Sequence, residues 1–151
     1  MIDLPPTDPL QNNTISYEMI EHVAEVTNTP VLGLYLILKV EGGTTSECNR
    51  TKDCGLFQVN RQHYKELRAY GLTESMIVHS VLGNAFAAGI ILRQKLAVCS
   101  KKGYDWFGQI ACYHSFTPKY RKRYRNRLIE HAQRFLPPAL VKRYTNGSTT
   151  G

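Results

Sequence analysis

A chain of 151 residues with 42% hydrophobic and 21% charged content is long enough to bury a core, and it fills one domain with little left for a second. Five Phe, nine Tyr and one Trp argue against general disorder. The densest apolar run, Val31 to Val40, is shorter than the roughly 18 residues of a membrane-spanning helix, so no span is expected.

The first 14 residues are rich in Pro and Asn and read as irregular. Ser16 to Thr27 has the pattern of an amphipathic helix, with Tyr17, Ile20, Val23 and Ala24 at helical spacing. Thr29-Pro30 reads as a helix start with Thr29 as cap. From Val31 to Val40 apolar residues run round every face, as in a central buried helix, and Gly42-Gly43 ends it. Residues 42–60 lack helical pattern and read as a loop, with room for a small hairpin. Helical segments follow near 61–69 and 73–80, then a largely apolar helix from Leu82 to Val98, with a break at Gly103. Trp106 to Ser115 forms a further helix. Pro118 opens a last one through the basic stretch to Phe135, Pro137-Pro138 interrupts the chain, and 145–151 is a loose tail. There is no internal repeat. The expected fold class is mainly α: a single domain over residues 15–144 with a short loop or small hairpin after the helix that ends at Glu41.

The net charge of +7 is local. Residues 119–143 carry nine Lys and Arg against Glu130 alone, while the rest of the chain holds ten basic and eleven acidic groups. A basic segment on a near-neutral body fits an anionic partner, whether nucleic acid, membrane or an acidic wall polymer, and fits equally a solvated helix face. Four cysteines, Cys48, Cys54, Cys99 and Cys112, lack the C-x2-C spacing of zinc sites. An even count fits two disulfides in an oxidising compartment, with three possible pairings, or four buried thiols. Met1 to Leu10 lacks the basic start and apolar core of a secretory signal, so either the protein is cytoplasmic or a signal was removed.

Glu41 is the first chemical candidate. It falls in the last turn of an otherwise apolar helix, where desolvation and the negative end of the helix dipole both favour the protonated acid. A general acid for glycoside cleavage needs a proton to give to the leaving oxygen. The plainer reading is a solvated carboxylate at a helix end. Downstream, Gly55 offers a backbone that a polymer can approach, Phe57 an aromatic face for a sugar, and Gln58 an amide that both donates and accepts hydrogen bonds. The plainer reading of that run is a tight turn.

Glu41-Gly42 followed by Gly55-Leu56-Phe57-Gln58 resembles the "ES…GLMQ" signature of the soluble lytic transglycosylases, which share the goose-type lysozyme fold. Asn84 to Leu92 is similar to that family's "N-x-x-x-G-x-x-Y-L" helix, with Ala88 at the usual Gly. Ala111-Cys112-Tyr113-His114-Ser115 with Tyr124 and Leu128 resembles "A-x-Y-N-x-G…Y…V". The likeness is nearest to the small specialised transglycosylases of type IV and type III secretion, conjugation and pili, in Tyr113-His114-Ser115-Phe116-Thr117-Pro118 and in Gln62 to Leu72. It covers about residues 17–130.

The resemblance implies a lysozyme-like domain that cleaves the bond between N-acetylmuramic acid and N-acetylglucosamine with closure of a 1,6-anhydro ring. Glu41 would be the single catalytic acid. Gln58 and the backbone of Gly55 to Phe57 would line the glycan cleft, Tyr113 would face the scissile sugar, His114 would be a further substrate-binding residue, and Tyr124 would lie close enough to orient Glu41. Trp106 and Tyr35 are assigned to the core. No metal or organic cofactor is implied. The implied partners are peptidoglycan strands and components of a secretion or conjugation machine, the location is periplasmic or extracellular, and the expected state is a monomer. A wall location also accounts for the cysteines as two disulfides, one of them Cys48–Cys54.

Three departures matter: Gly42 stands where the family has Ser, His114 replaces the commoner Asn, and Asp53 could supply the second carboxylate of a hydrolytic muramidase. Asp53 is read as a loop residue bonding nearby backbone. The alternatives are therefore a muramidase that uses water, and a catalytically weak wall-binding assembly factor for which Gly42 speaks. Nucleic-acid binding by Arg121, Arg123, Arg125 and Arg127 with Tyr120 and Tyr124 is a further, weaker reading, because alternate residues of a helix do not share a face.

Overall fold

In a computed structural model, the structure describes residues 14–145, and the expected irregular start and loose tail lie almost wholly outside them. Among the described residues there are eight α-helices and one two-stranded sheet. The chain divides between Ile91 and Leu92 into two compact units.

In the first unit, α1 (Tyr17–Thr27) starts where Ser16 accepts the Met19 N–H at 3.2 Å. Its buried face is Ile20, Val23, Ala24 and Thr27, at the spacing of one helical stripe, whereas Tyr17 is exposed with its ring edge toward Tyr35. α2 (Val31–Glu41) begins one residue later than expected, with Pro30 rather than Thr29 in the capping position. Thr29 is otherwise engaged: its hydroxyl shares a 2.9 Å hydrogen bond with that of Thr27, which in turn donates to Val23 O at 2.7 Å. α2 buries Gly33, Leu34, Leu36, Ile37 and Val40 and exposes Lys39, so it is a core helix with one wet edge.

The loop after α2 carries the expected small hairpin, β1 (Asp53–Cys54) against β2 (Val59–Asn60), antiparallel with Asp53 opposite Asn60. The Cys48–Cys54 disulfide is present and staples a further segment to β1. Closing so short a loop contributes roughly 2 kcal/mol at most. A 3-10 turn leads into α3 (Tyr64–Arg68), and Thr73 caps α4 (Glu74–His79).

α5 (Val81–Cys99) is 19 residues long and is long and apolar enough to cross a bilayer. That corrects the expectation that no helix reaches this length. Most of the helix is buried by protein, which is what a core helix gives. Asn84 on α5 is the polar centre of this unit, 2% exposed. Its Nδ2 donates to Cys54 O and Ile77 O, both at 2.9 Å, and its Oδ1 accepts the Phe57 N–H at 2.8 Å. One side chain thus satisfies three buried backbone groups of the hairpin turn and of α4.

In the second unit, the helix expected over 106–115 is split into α6 (Trp106–Ile110) and a 3-10 turn over Ala111–Tyr113, a common tightening at a helix end. The Cys99–Cys112 disulfide completes the pairing of all four cysteines. Two disulfides are compatible with an oxidising compartment. α7 (Pro118–Ala132) has Pro at its first turn and ends three residues before Phe135; it buries Arg121, Tyr124, Leu128 and Ala132 along one stripe. The sequence reading missed α8 (Pro138–Thr145), in which Pro138 opens a helix instead of preventing one. Trp106 stacks on Tyr144 of α8 with centroids 4.9 Å apart.

Replacing Asn84 strands three buried backbone groups at once. Asn84→Ala is expected to lower the unfolding free energy by about 3 kcal/mol or more, read from urea denaturation. A change under about 1 kcal/mol would mean that those groups find other partners.

Candidate functional site

The expected site residues fall in both units: Glu41, Gly55, Phe57 and Gln58 in the first, and Tyr113, His114 and Tyr124 in the second.

Glu41 is the last residue of α2 and is half-buried. Gly42 follows in the left-handed conformation (φ 54°, ψ 34°), and its N–H caps Leu38 O at 2.9 Å. A residue with a Cβ is strained there, so Gly42 has a structural reason to stand at that position. The Gly43 N–H then donates to Leu56 O at 3.2 Å. A Cβ at Gly43 would lie 1.9 Å from Gly55 O and 2.3 Å from Gln58 Nε2. The chain leaving Glu41 is therefore pressed directly on the Gly55–Gln58 turn. With only Gly42 between the anchor and the acid, the Glu41 Cα lies within roughly 8 Å of the Gly43 Cα.

The turn is closed by the Gln58 N–H to Gly55 O bond at 3.1 Å, with φ 75° at Gly55 and 52° at Gln58. The Gln58 side chain is half-buried and braced at both ends: Nε2 donates to Gly55 O at 2.9 Å, and Oε1 accepts from Asn49 Nδ2 at 3.2 Å. Two readings need correction here. Gly55 is buried, and the space its missing Cβ leaves is filled by Asn84, whose Nδ2 would be 2.4 Å from that atom, so the gap serves packing and not a polymer. Phe57 is 1% exposed, so its ring belongs to the core and cannot face a sugar.

Asp53 is held inside the hairpin loop. Its Oδ2 accepts from Thr51 Oγ1 at 2.6 Å and Asn49 Nδ2 at 3.1 Å, and its Oδ1 accepts from Asn60 Nδ2 at 2.8 Å. The expected loop role is right in kind, with side chains as the partners where backbone was anticipated. Asn49 organises the same loop by accepting the Thr51 and Asp53 N–H groups at 3.0 and 2.9 Å. Asn49 and Asn84 were not among the expected site residues. The Asn-x-Thr-x-Asp spacing was a usable turn signal for Asn49.

Beside the hairpin, Arg61, Tyr64, Lys65, Arg68 and Glu74 line a recess of about 310 Å³. The Tyr64 hydroxyl is buried there and has no hydrogen-bond partner among the described residues. Burial first, and then the negative charge of Glu74, push its phenol above the ordinary tyrosine range.

In the second unit Tyr113 is buried at the end of the 3-10 turn. His114 is exposed and lies flat on Tyr124, centroids 4.8 Å apart and planes 6° from parallel. Tyr124 is only 2% exposed, so its ring is closed to a stacking base or sugar. Asp105 caps α6 by accepting the Gly108 N–H at 2.7 Å, and it binds Arg125 as a bidentate ion pair. The Asp105 bond holds the Arg125 guanidinium above its ordinary pKa, against the opposing effect of burial. The four alternating arginines are thereby sorted: Arg121 is buried, Arg125 is paired, and Arg123 and Arg127 are exposed.

No family model, curated protein or solved structure matches this chain. Among the described residues no cluster of His, Cys, Asp and Glu has the arrangement of a metal site.

Gly43→Ala forces the α2 exit off the turn and is expected to cost about 2–4 kcal/mol of stability by urea denaturation. An unchanged midpoint would mean that the contact is not structural. For Tyr64 the sign follows from its raised pKa. Above the ordinary value of about 10 the unfolded chain ionises while the folded phenol keeps its proton, so stability falls as pH rises. Tyr64→Phe removes an unpartnered hydroxyl, and it is expected to leave stability at about pH 8 unchanged or slightly raised and to blunt the fall between about pH 9 and pH 11. Identical alkaline profiles for the two proteins would contradict this.

Proposed function

We propose that this protein is a peptidoglycan lytic transglycosylase of the lysozyme-like kind, with Glu41 as its one acid and base, acting outside the cytoplasm to open the wall locally for a secretion or conjugation apparatus. The observation that carries the reading is the seat of Glu41: a half-buried carboxylate on the last residue of a core helix, followed at once by backbone pinned to the Gly55–Gln58 turn. A general acid has to be held still relative to the bond it protonates, and this exit allows little play.

In the proposed reaction Glu41 gives its proton to the glycosidic oxygen as the bond to the muramoyl anomeric carbon breaks. The substrate's acetamido group stabilises the developing positive charge. The muramoyl 6-hydroxyl oxygen then bonds to the anomeric carbon, and its proton passes to the Glu41 carboxylate. The acid is regenerated and no water is consumed. Gln58, with one amide proton and one lone pair beyond its two bonds, supplies the polar contact on the turn. Gly55 and Phe57 act through the shape of the turn.

Two alternatives lose ground on specific contacts. A muramidase of the two-carboxylate type would need Asp53 across the sugar, yet each of its oxygens is engaged in the hairpin loop. The wall-binding factor drew its support from Gly42, whose backbone conformation now accounts for it. The two disulfides fit action in an oxidising compartment.

Incubation with purified peptidoglycan, followed by mass spectrometry of the soluble fragments, tests the reading. The expected products are one water lighter than hydrolytic fragments. Glu41→Gln should lower their release about 10²–10⁴-fold while leaving the fold intact. Fragments with ordinary reducing ends would identify a hydrolase, and undiminished release by the variant would remove Glu41 from the chemistry.

A further inference from the structure

The second unit contains a positive pocket that the proposed glycan chemistry does not use. Tyr104, Asp105, Arg121, Lys122, Arg125 and Asn126 line a recess of about 420 Å³. Three cations and one carboxylate leave it a formal charge of +2, and the carboxylate of Asp105 is already taken by Arg125 and by the Gly108 N–H.

Arg121 is the unusual member. It is 6% exposed, which is rare for an arginine without an ion-pair partner. Its guanidinium lies on the Tyr104 ring at 3.7 Å from the centroid, and its Nη1 sits against Gly108, where an added Cβ would come within 3.1 Å. Its Nε is buried with no hydrogen-bond acceptor, and no described carboxylate pairs with it. A buried guanidinium normally pairs with a carboxylate or a phosphate, because an unmet charged donor costs more than a bond to it returns. Stacking on Tyr104 offsets part of that cost but supplies no acceptor.

We propose that this pocket is a carboxylate-binding subsite centred on Arg121, taking a free carboxylate of the peptides borne by the muramic acid residues of the wall. The choice of ligand rests on the wall reading above; the anion preference rests on the pocket alone. A single planar fork at the base suits one carboxylate. A nucleic-acid strand fits less well. It needs cations in series and rings open to stacking, whereas Arg125 is already paired and Tyr124 is covered by His114. Lys122 and Asn126, both exposed, form the rim that would meet the peptide.

The test is a ¹H–¹⁵N NMR titration of the full chain, carrying Glu41→Gln so that nothing is cleaved. The probes are a synthetic wall stem peptide with free carboxylates, the same peptide with its carboxylates amidated, inorganic phosphate, and a short single-stranded DNA. The free peptide is expected to shift the resonances of Tyr104, Arg121, Lys122 and Asn126, and the amidated peptide to leave them unmoved. Arg121→Lys keeps the charge but loses the fork, and should weaken binding about tenfold. Because Arg121 is buried and its replacement can unfold the unit, Asn126→Asp serves as the second variant. It is exposed, should leave the thermal midpoint unchanged, and should weaken the peptide about tenfold by placing a negative charge on the rim.

Equal binding of the amidated peptide, indifference to Asn126→Asp, or no shift with peptide up to several millimolar would overturn the proposal. Tighter binding of phosphate or DNA with a steep salt dependence would overturn it in favour of a phosphate site. The outcomes separate from those of the catalytic reading. Cleavage of the wall without peptide binding removes the subsite and leaves the enzyme, and peptide binding by a chain that never cleaves does the reverse.

Discussion

The first unit depends on a single amide. Asn84 lies on a helix whose other buried positions are almost all apolar, and it is there because the hairpin turn cannot satisfy its own backbone. A four-residue turn with two left-handed residues leaves the Phe57 N–H and the Cys54 carbonyl pointing inward. In a dry core each unmet group costs a kcal/mol or more, so the turn is stable only if something on the facing element has both a donor and an acceptor at that spot. The Asn84 amide meets both groups and keeps a second N–H for Ile77 O, which a hydroxyl with its single proton could not do. Everything built on the turn inherits this: the Gly43 contact, the bracing of Gln58, and through them the position at which α2 ends and Glu41 emerges.

The second unit is organised by charge at its buried edge. α7 carries basic residues round most of its circumference, and a helix so composed can bury a face only where some arginines are neutralised or stacked. Asp105 neutralises Arg125 while capping α6, which joins the start of one helix to the middle of another. Tyr104 covers Arg121 from one side. The remaining demand of Arg121 for an acceptor is a chemical property of the pocket, and it is not met among the described residues. In the proposed subsite, long-range attraction from the nine basic residues of 119–143 would bring an anion to the surface and Arg121 would hold it in one orientation.

Reading function from residue type alone went astray at Phe57 and Gly55. An aromatic and a glycine next to a loop are common in sugar sites, and both have equally ordinary structural uses. The hydrogen-bonded turn draws Phe57 inward because its N–H must reach Asn84, and the ring follows the backbone into the core. Gly55 is needed because Asn84 already occupies the space of a side chain. Asp53 went the other way. The plain loop role assigned from sequence fits the bonds of its carboxylate to Asn49, Thr51 and Asn60, although those partners are side chains and the expected ones were backbone groups.

The linear chain determined most of the helices, because caps, prolines and apolar spacing act over three or four residues and are written locally: Ser16 opening α1, Gly42 closing α2, Pro118 opening α7. It also located the hairpin and the Cys48–Cys54 bridge, both short-range closures. Local signals failed at α8, where Pro138 could break a helix or open one, and it opens one. What only the tertiary structure decided is which versatile side chain meets which partner. Asn84 finds its donor, the Phe57 N–H, 27 residues away and an acceptor, Cys54 O, 30 residues away, and Asp105 finds Arg125 20 residues away. At such separations nothing in the intervening sequence encodes the meeting; it results from two elements being packed face to face, and burial then turns an ordinary amide or guanidinium into a group that must be satisfied.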